Sequence, residues 1–229
     1  MNRWLLASIV LTILAGLSSV VVHANREAWL PEKIPTHWDI KGEADAWTTR
    51  DGVWVHLAIV PGSMVGMLLL MLALPWLSPR KFSIDSFRAT YDYIMAVVMF
   101  LFAYIQGVLL AAQLQTGIDL LTWLVGGMLL ILAALGNVLG KVKRNFYVGV
   151  KTPWTLASDT VWNSTHRLAA WLMVGSGVGG FVLVMVGVTP LVPLGLFFAA
   201  VIFPVFYSLW LYKRLEREGR LEKPDAPVN

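Results

Sequence analysis

The chain has 229 residues, of which 57% are hydrophobic, 14% are charged and none is cysteine. Soluble domains are about 45–50% apolar and about 25% charged, so this composition excludes an ordinary soluble domain. The lack of cysteine excludes disulfides, zinc ribbons, thiol nucleophiles and Cys-ligated clusters. Any metal site has to use histidine and carboxylate ligands.

Six apolar stretches are long enough to cross a bilayer, which takes about 20 helical residues. They lie at residues 4–22, 54–77, 92–114, 118–139, 168–188 and 190–212. The sequence therefore predicts an all-α fold, a polytopic membrane helix bundle with six transmembrane helices. For the first stretch the alternative is a cleaved signal peptide, since Val22-His23-Ala24 resembles a cleavage site. That stretch is longer than the usual apolar region of about 7–15 residues in such peptides.

The positions of lysine and arginine predict the orientation. Of the 18 basic residues, four lie in the first loop and none in the third or fifth loop. All the others lie at the termini, in the second and fourth loops, or at the edges of the spans that meet them. Because cytoplasmic loops carry an excess of Lys and Arg, both termini are expected to be cytoplasmic.

The spans and loops predict three units. Residues 1–77 form an N-terminal two-helix unit whose extracytoplasmic loop covers about 23–53. Residues 78–212 form a four-helix membrane unit with a cytoplasmic loop at about 136–167, which we call the signature segment. Residues 213–229 are a charged cytoplasmic tail, whose last part, 223–227, has the composition of a disordered segment.

The loop at 23–53 is the one extracytoplasmic segment large enough for a recognition surface. Its two prolines favour extended backbone and Gly42 favours a turn, so we expect a short extended piece followed by a turn. Its candidate binding residues are Pro35, His37, Trp38, Asp39, Gly42, Glu43 and Asp45. The alternative is that the tryptophans of this region form an aromatic belt at the membrane surface.

Three histidines, His23, His37 and His56, fall on this same side. Neutral imidazoles with neighbouring carboxylates are ligands for zinc or another divalent ion, which makes the three histidines a candidate metal site. No H-E-x-x-H spacing supports it. The alternative is that His37 hydrogen-bonds within the loop while the other two lie at the interface, and no cofactor is then expected.

The signature segment carries five basic residues and one acid, Asp159. Ser158 is a predicted helix N-cap, and Asp159, Asn163 and Arg167 then share one side of the helix beside His166. Such a stripe suits docking or proton handling, and the alternative is a structural network that fastens the loop to the bundle. No catalytic motif is present, so nothing in the sequence indicates an enzyme.

Small residues in the fifth span predict close helix packing. Gly175 with Gly179, and Ser176 with Gly180, are expected to form a packing face within the bundle or between copies of a homo-oligomer. Gln106 and Asn137 are expected to face the interior. Charged groups are nearly absent from the span centres, although proton-coupled transporters usually carry some.

Both loops resemble a known family. The signature segment resembles the SdpI-type sporulation-delay immunity proteins, with Lys151 where arginine is expected, and Leu30-Pro31, Ile34-Pro35, His37, Gly42 and Asp45 resemble a small domain of unknown function that often precedes it. For the signature segment, the candidate binding residues are Asn137, Lys141, Asn145, Gly149, Lys151, Thr152, Pro153, Trp154, Thr155, Asp159, Trp162, His166 and Arg167.

The resemblance implies a multi-pass protein of the bacterial plasma membrane that gives resistance to a secreted toxic peptide and recruits a cytoplasmic transcriptional repressor to the membrane. Its partners would be membrane lipids, the peptide and the repressor, with no direct contact to nucleic acid. The alternatives are a small transporter or exporter, and a metal-dependent membrane enzyme with an extracytoplasmic His/carboxylate site.

Overall fold

The computed structural model describes residues 2–77, 84–145 and 147–221. It is 75% helical, and six of its helices are long and apolar enough to cross a membrane. In chain order the elements are α1 (Arg3–Ala24), α2 (Arg26–Trp29), β1 (Ile34–Trp38), β2 (Ala44–Thr48), α3 (Val53–Leu77), α4 (Arg88–Gln113), α5 (Leu120–Leu139), α6 (Pro153–Ala157), α7 (Asp159–Met185) and α8 (Leu191–Arg217).

The prediction of six spanning helices is confirmed, and each predicted stretch coincides with one long helix. The N-cap prediction is also confirmed, because the Ser158 hydroxyl accepts a hydrogen bond from the Val161 N–H at 3.2 Å. Helix α8 continues to Arg217, so the first part of the tail is helical. The prediction for residues 223–227 lies outside the described residues, and the orientation of the termini stays a prediction.

The long helices form two groups of three. Helices α1, α3 and α4 pack together, α7 packs between α5 and α8, and the two groups meet where α4 packs on α5. Helix α4 thus lies against the predicted N-terminal unit, and the predicted boundary after residue 77 stays a prediction.

The small-residue prediction is confirmed within the bundle for Gly180, whose Cβ position lies 3.0 Å from the Leu129 side chain and 3.2 Å from Pro193. Packing of these small residues between copies stays a prediction. Nothing lies within 4 Å of the Cβ positions of Gly175 and Gly179, so this pair does not pack within the bundle. The close approach of α7 to α5 is made on the opposite side of α7 from that pair, at Gly177, where a Cβ would lie 2.6 Å from the Leu129 carbonyl oxygen. Glycine is needed there because any side chain would collide with the α5 backbone.

A buried polar bridge joins the first three long helices. The Gln106 amide donates to the Ser19 hydroxyl at 2.8 Å, and that hydroxyl donates to the Leu57 carbonyl oxygen at 2.7 Å. Gln106 therefore faces the interior as predicted, whereas Asn137 is exposed and that part of the prediction is wrong. Because its amide is used to join helices, Gln106 gives no support to the transporter alternative.

The loops gather at two ends of the bundle. We call the end that carries residues 25–52 the hairpin end, and the end that carries residues 140–158 the signature end. At the hairpin end, β1 and β2 form an antiparallel two-stranded sheet with a register shift on either side of His37. The all-α prediction therefore omits a small β-sheet. The predicted extended piece is strand β1, and it pairs with a second strand, β2.

The hairpin is anchored by one apolar side chain at its base. Ile34 is fully buried and packs with Val22, Leu57 and Leu110, which come from α1, α3 and α4. The backbone of the hairpin is further held by Arg50, whose Nε donates to the Leu30 carbonyl oxygen at 2.9 Å. The hairpin is thus held in position by α1, α3 and α4, the helix group that also contains the two long helices flanking it in the sequence.

Replacing Ile34→Ala should destabilise the hairpin end by about 2–5 kcal/mol, because the substitution leaves a cavity among three helix ends. Thermal unfolding of the purified chain and protease sensitivity of the hairpin measure this. The matched control is Ile40→Ala, since Ile40 is 67% exposed and its truncation should leave both measurements unchanged. Equal behaviour of the two variants would contradict the anchoring role of Ile34.

Candidate functional site

The signature segment begins with an irregular stretch between α5 and α6, whose backbone groups need partners because no helix supplies them. The buried Asn145 carboxamide supplies four. Its oxygen accepts from the N–H groups of Tyr147 and Val148, each at 2.7 Å. Its amide donates to the carbonyl oxygens of Lys143 at 2.7 Å and Val148 at 3.1 Å. Asn145 therefore closes this turn from the inside.

The next part is the short helix α6, whose start is fixed by two threonines. The Thr152 hydroxyl accepts from the Thr155 N–H at 3.2 Å, and the Thr152 N–H donates to the Thr155 hydroxyl at 2.9 Å. This reciprocal pair is a capping box, and Pro153 at the first helical position suits it because its missing N–H needs no partner. The Thr155 hydroxyl also donates to the Val150 carbonyl oxygen at 2.8 Å, which ties α6 back to the irregular stretch.

His166 joins this stretch to α7. Its ring is fully buried; Nδ1 lies 2.7 Å from the Trp162 carbonyl oxygen, and Nε2 accepts from the Val150 N–H at 2.9 Å. These two partners fix a neutral imidazole with its proton on Nδ1, since a carbonyl needs a donor and an N–H needs an acceptor. The ring also stacks on Trp162 at a centroid distance of 4.0 Å.

Gly149 lets the backbone reach the imidazole. Its φ is +117°, and a Cβ at this position would lie 2.1 Å from His166 Nε2. Both the backbone conformation and the contact therefore require glycine. The spacing of Gly149 and His166 in the sequence gave no sign that the two residues touch.

Trp162 fastens the signature end to both helix groups. Its fully buried ring belongs to a cluster with Val142, Ile84 and Tyr91, and its Nε1 donates to the Val142 carbonyl oxygen at 2.8 Å. Trp154 makes a comparable link to the last helix, because its Nε1 donates to the Ser208 hydroxyl. Both tryptophans are thus bonded into the bundle; Trp162 is fully buried, whereas Trp154 is half-buried.

The polar stripe predicted on α7 divides into separate environments. Asp159 is paired with Arg144, whose Nε lies 3.1 Å from the Asp159 carboxylate and whose Nη1 donates to the Leu156 carbonyl oxygen at 2.9 Å. Asn163 and Arg167 are exposed, whereas His166 points into the bundle. The acid and the arginine expected to bracket the histidine do not contact it, and this geometry gives no proton-handling cluster.

The candidate binding residues of the signature segment therefore fall into two sets. The buried residues form a scaffold: Asn145, Thr155, Trp162 and His166. Half-buried positions complete it: Gly149, Thr152 and Trp154. The exposed residues form a surface around that scaffold: Asn137, Lys141, Lys151, Pro153, Asp159 and Arg167.

The hairpin presents a second surface. Asp39 shapes its turn, since the Asp39 carboxylate accepts from the N–H groups of Lys41 at 2.8 Å and Glu43 at 2.9 Å. Gly42 completes the turn with a φ of +83°, and its Cβ position lies 3.0 Å from the Leu121 side chain of α5. The hairpin tip therefore reaches across to the second helix group.

Only some of the residues predicted on the hairpin can meet a ligand. His37, Glu43 and Asp45 are exposed, and His37 Nδ1 lies 2.6 Å from the Asp45 carboxylate. Pro35 is buried, and Trp38, Asp39 and Gly42 are half-buried. Pro35 is therefore part of the hairpin base, not of its contact surface.

The three histidines of the candidate metal site are not brought together. His37 forms a hydrogen bond with Asp45 on the exposed hairpin. The His23 ring lies 5.0 Å from the Trp54 ring at the helix ends. Within residues 2–77, 84–145 and 147–221, no group of three His, Asp or Glu side chains is arranged to hold a metal ion.

Sequence reasoning missed two features. The first feature is a pair of exposed apolar side chains on the hairpin, Ile40 and Trp47, which are 67% and 52% exposed. The sequence signal for it was the position of the apolar Ile40 between the charged residues Asp39 and Lys41. The second feature is Arg144, which the sequence shows only as one of the basic residues of the signature segment, although it bridges α6 and α7. Only its distance from Asp159 in space, which the sequence does not contain, shows this.

Comparison with known proteins confirms the resemblance. Residues 141–208 match the SdpI/YfhL protein family, and residues 9–60 match a domain of unknown function, DUF1648. The chain is thus a multi-pass membrane protein, with one segment similar to the DUF1648 domain followed by one similar to the SdpI/YfhL family. The first match covers α6, α7 and most of α8, and the second covers most of α1, the hairpin and the start of α3.

Among individual proteins, the chain is similar to the Immunity protein SdpI of Bacillus subtilis (strain 168). The two are 28% identical over 170 residues, which is 74% of this chain and 76% of the relative. No solved structure matches the chain.

Replacing Gly149→Ala should lower the stability of the signature end by more than about 1 kcal/mol, because alanine is strained at this φ and its methyl group would displace the His166 ring. Gly175→Ala is the matched control. That glycine lies within α7 with open space around its Cβ, so alanine should be neutral or stabilising by up to about 1 kcal/mol. Thermal unfolding of both purified variants decides, and an unchanged midpoint for Gly149→Ala would refute the contact.

Proposed function

We propose that this protein is an immunity protein of the bacterial plasma membrane, which gives resistance to a secreted toxic peptide and recruits a soluble transcriptional repressor to the membrane. The observation that carries the proposal is the similarity to an immunity protein over 74% of the chain, and the family matches at residues 9–60 and 141–208 contain the hairpin and most of the signature segment. In this proposal the hairpin meets the peptide outside the cell, and the signature end meets the repressor inside.

The hairpin surface supports contact with a peptide. Ile40 and Trp47 expose apolar area beside the polar pair His37 and Asp45. Aromatic and aliphatic anchors surrounded by polar groups are typical of surfaces that bind protein chains. The outer edge of β2 pairs with no further strand among the described residues, and β2 contains no buried residue. An extended peptide could pair with such an edge.

The signature end supports contact with a soluble protein. Its bonded scaffold holds α6 in place, and a cavity of about 400 Å³ lies between α6 and α8, lined by Pro153, Trp154, Ala157, Leu209, Tyr212 and Lys213. A preformed groove with aromatic walls suits the apolar face of an amphipathic helix. Because hydrogen bonds already hold the scaffold in place, little ordering free energy would be lost on binding.

The proposal predicts that deleting the gene makes the source organism sensitive to the spent medium of its parent strain. A wild-type copy should restore survival, whereas Ile40→Ala should restore it at least tenfold less well while accumulating normally in the membrane. Colony counts after exposure, with an immunoblot of the membrane fraction, measure both quantities. A deletion strain as resistant as its parent would contradict the immunity role.

The sidedness behind the proposal can be tested directly, because the chain has no native cysteine. Glu43→Cys on the hairpin should react with a membrane-impermeant thiol reagent in whole cells. Lys143→Cys, an equally exposed position at the signature end, should react only after the cells are permeabilised. Labelling of Lys143→Cys alone in whole cells would reverse the assignment of both surfaces.

A further inference from the structure

A second groove at the signature end lies between α5 and α7, apart from the groove of α6 and α8. It is a cavity of about 250 Å³ lined by Asn137, Gly140, Lys141, Arg167, Ala170, Trp171 and Val174. Its floor is made of small residues, because a Cβ at Gly140 would lie 3.5 Å from the Arg167 side chain and 4.0 Å from Ala170. The groove is thus formed where two helix backbones come close.

The polar rim of this groove contains only groups that suit an anion. Lys141 and Arg167 are both exposed and cationic, Asn137 adds an amide donor, and no lining residue is acidic. Within the described residues the Lys141 and Arg167 side chains form no ion pair or hydrogen bond, unlike Arg144, which is used by Asp159. The guanidinium of Arg167 can bind two oxygens of one phosphate at once.

The other wall of the groove is apolar and turned away from the bundle. Trp171 lies one turn further along α7 than Arg167 and is 77% exposed, and Val174 follows it. Tryptophan is enriched at the headgroup level of membranes. The groove therefore combines two cations at a helix end with an apolar and aromatic wall on the membrane-spanning part of the same helix.

We propose that this groove binds the phosphate headgroup of an anionic phospholipid, with Lys141 and Arg167 on the phosphate and the acyl chains along Trp171 and Val174. Basic pockets between transmembrane helices are suited to such headgroups. An acidic segment of a soluble protein would use the two cations but would leave the apolar wall without a partner, so the lipid fits more of the groove.

The test uses the full chain purified in a neutral detergent and titrated with dioleoyl phosphatidylglycerol or dioleoyl phosphatidylcholine, with the retained lipid counted by native mass spectrometry. Wild-type protein should retain more phosphatidylglycerol than phosphatidylcholine. The double variant Lys141→Gln/Arg167→Gln should lose on the order of 20-fold in apparent affinity, at roughly fivefold for each cation. Arg167→Lys should keep part of the preference because it keeps the charge.

The matched control is Lys143→Gln/Arg217→Gln, which removes the same charge from exposed positions of the signature end outside the groove and should bind like wild type. Circular dichroism shows that all variants are equally helical. Equal retention of both lipids by wild-type protein, or equal losses in the two double variants, would overturn the proposal. So would binding of an acidic peptide that depends on Lys141 and Arg167 while phosphatidylglycerol retention does not.

Discussion

The His166 imidazole is the contact on which the signature end depends. It lies between the α7 backbone at Trp162 and the irregular backbone at Val150, and it satisfies one group on each side. Where the chain leaves a membrane helix, unpaired backbone groups are costly, and the buried ring removes that cost for the Val150 N–H by accepting with Nε2, while its Nδ1 is held by the Trp162 carbonyl oxygen. The glycine at 149 and the stacked Trp162 are arranged around this ring.

The fold could be predicted from the sequence to the extent that the bilayer determines it. Six apolar stretches of the right length gave six helices, and Ser158 as an N-cap gave the start of α7, since both follow from local chemistry. The hairpin was foreseen only as an extended piece and a turn. The pairing of β1 with β2, and the register of Gly177 against Leu129, are contacts between distant parts of the chain.

The candidate site could be predicted as a set of residues but not as an arrangement. Sequence showed that the signature segment was unusual, yet Asn145, Thr155 and His166 look like ligand-binding residues until their partners are seen to be backbone groups. In the sequence, a polar residue that hydrogen-bonds to the backbone cannot be distinguished from one that binds a ligand. Burial separates them, and burial depends on the packing of α5, α7 and α8.

We call the boundary between the two helix groups the seam. The hairpin bridges it at one end of the bundle, in addition to the packing of α4 on α5. Ile34 fixes the base of the hairpin to α1, α3 and α4, while Gly42 at its tip touches Leu121 of α5. Opening the seam at this end would require the tip to leave α5, so a molecule that holds the tip adds resistance to that opening. Helix α5 is about 30 Å long at 1.5 Å per residue and leads directly into the signature segment. The hairpin tip therefore lies against one end of a rod whose other end leads into the signature segment, and a tilt imposed at the first end displaces the second.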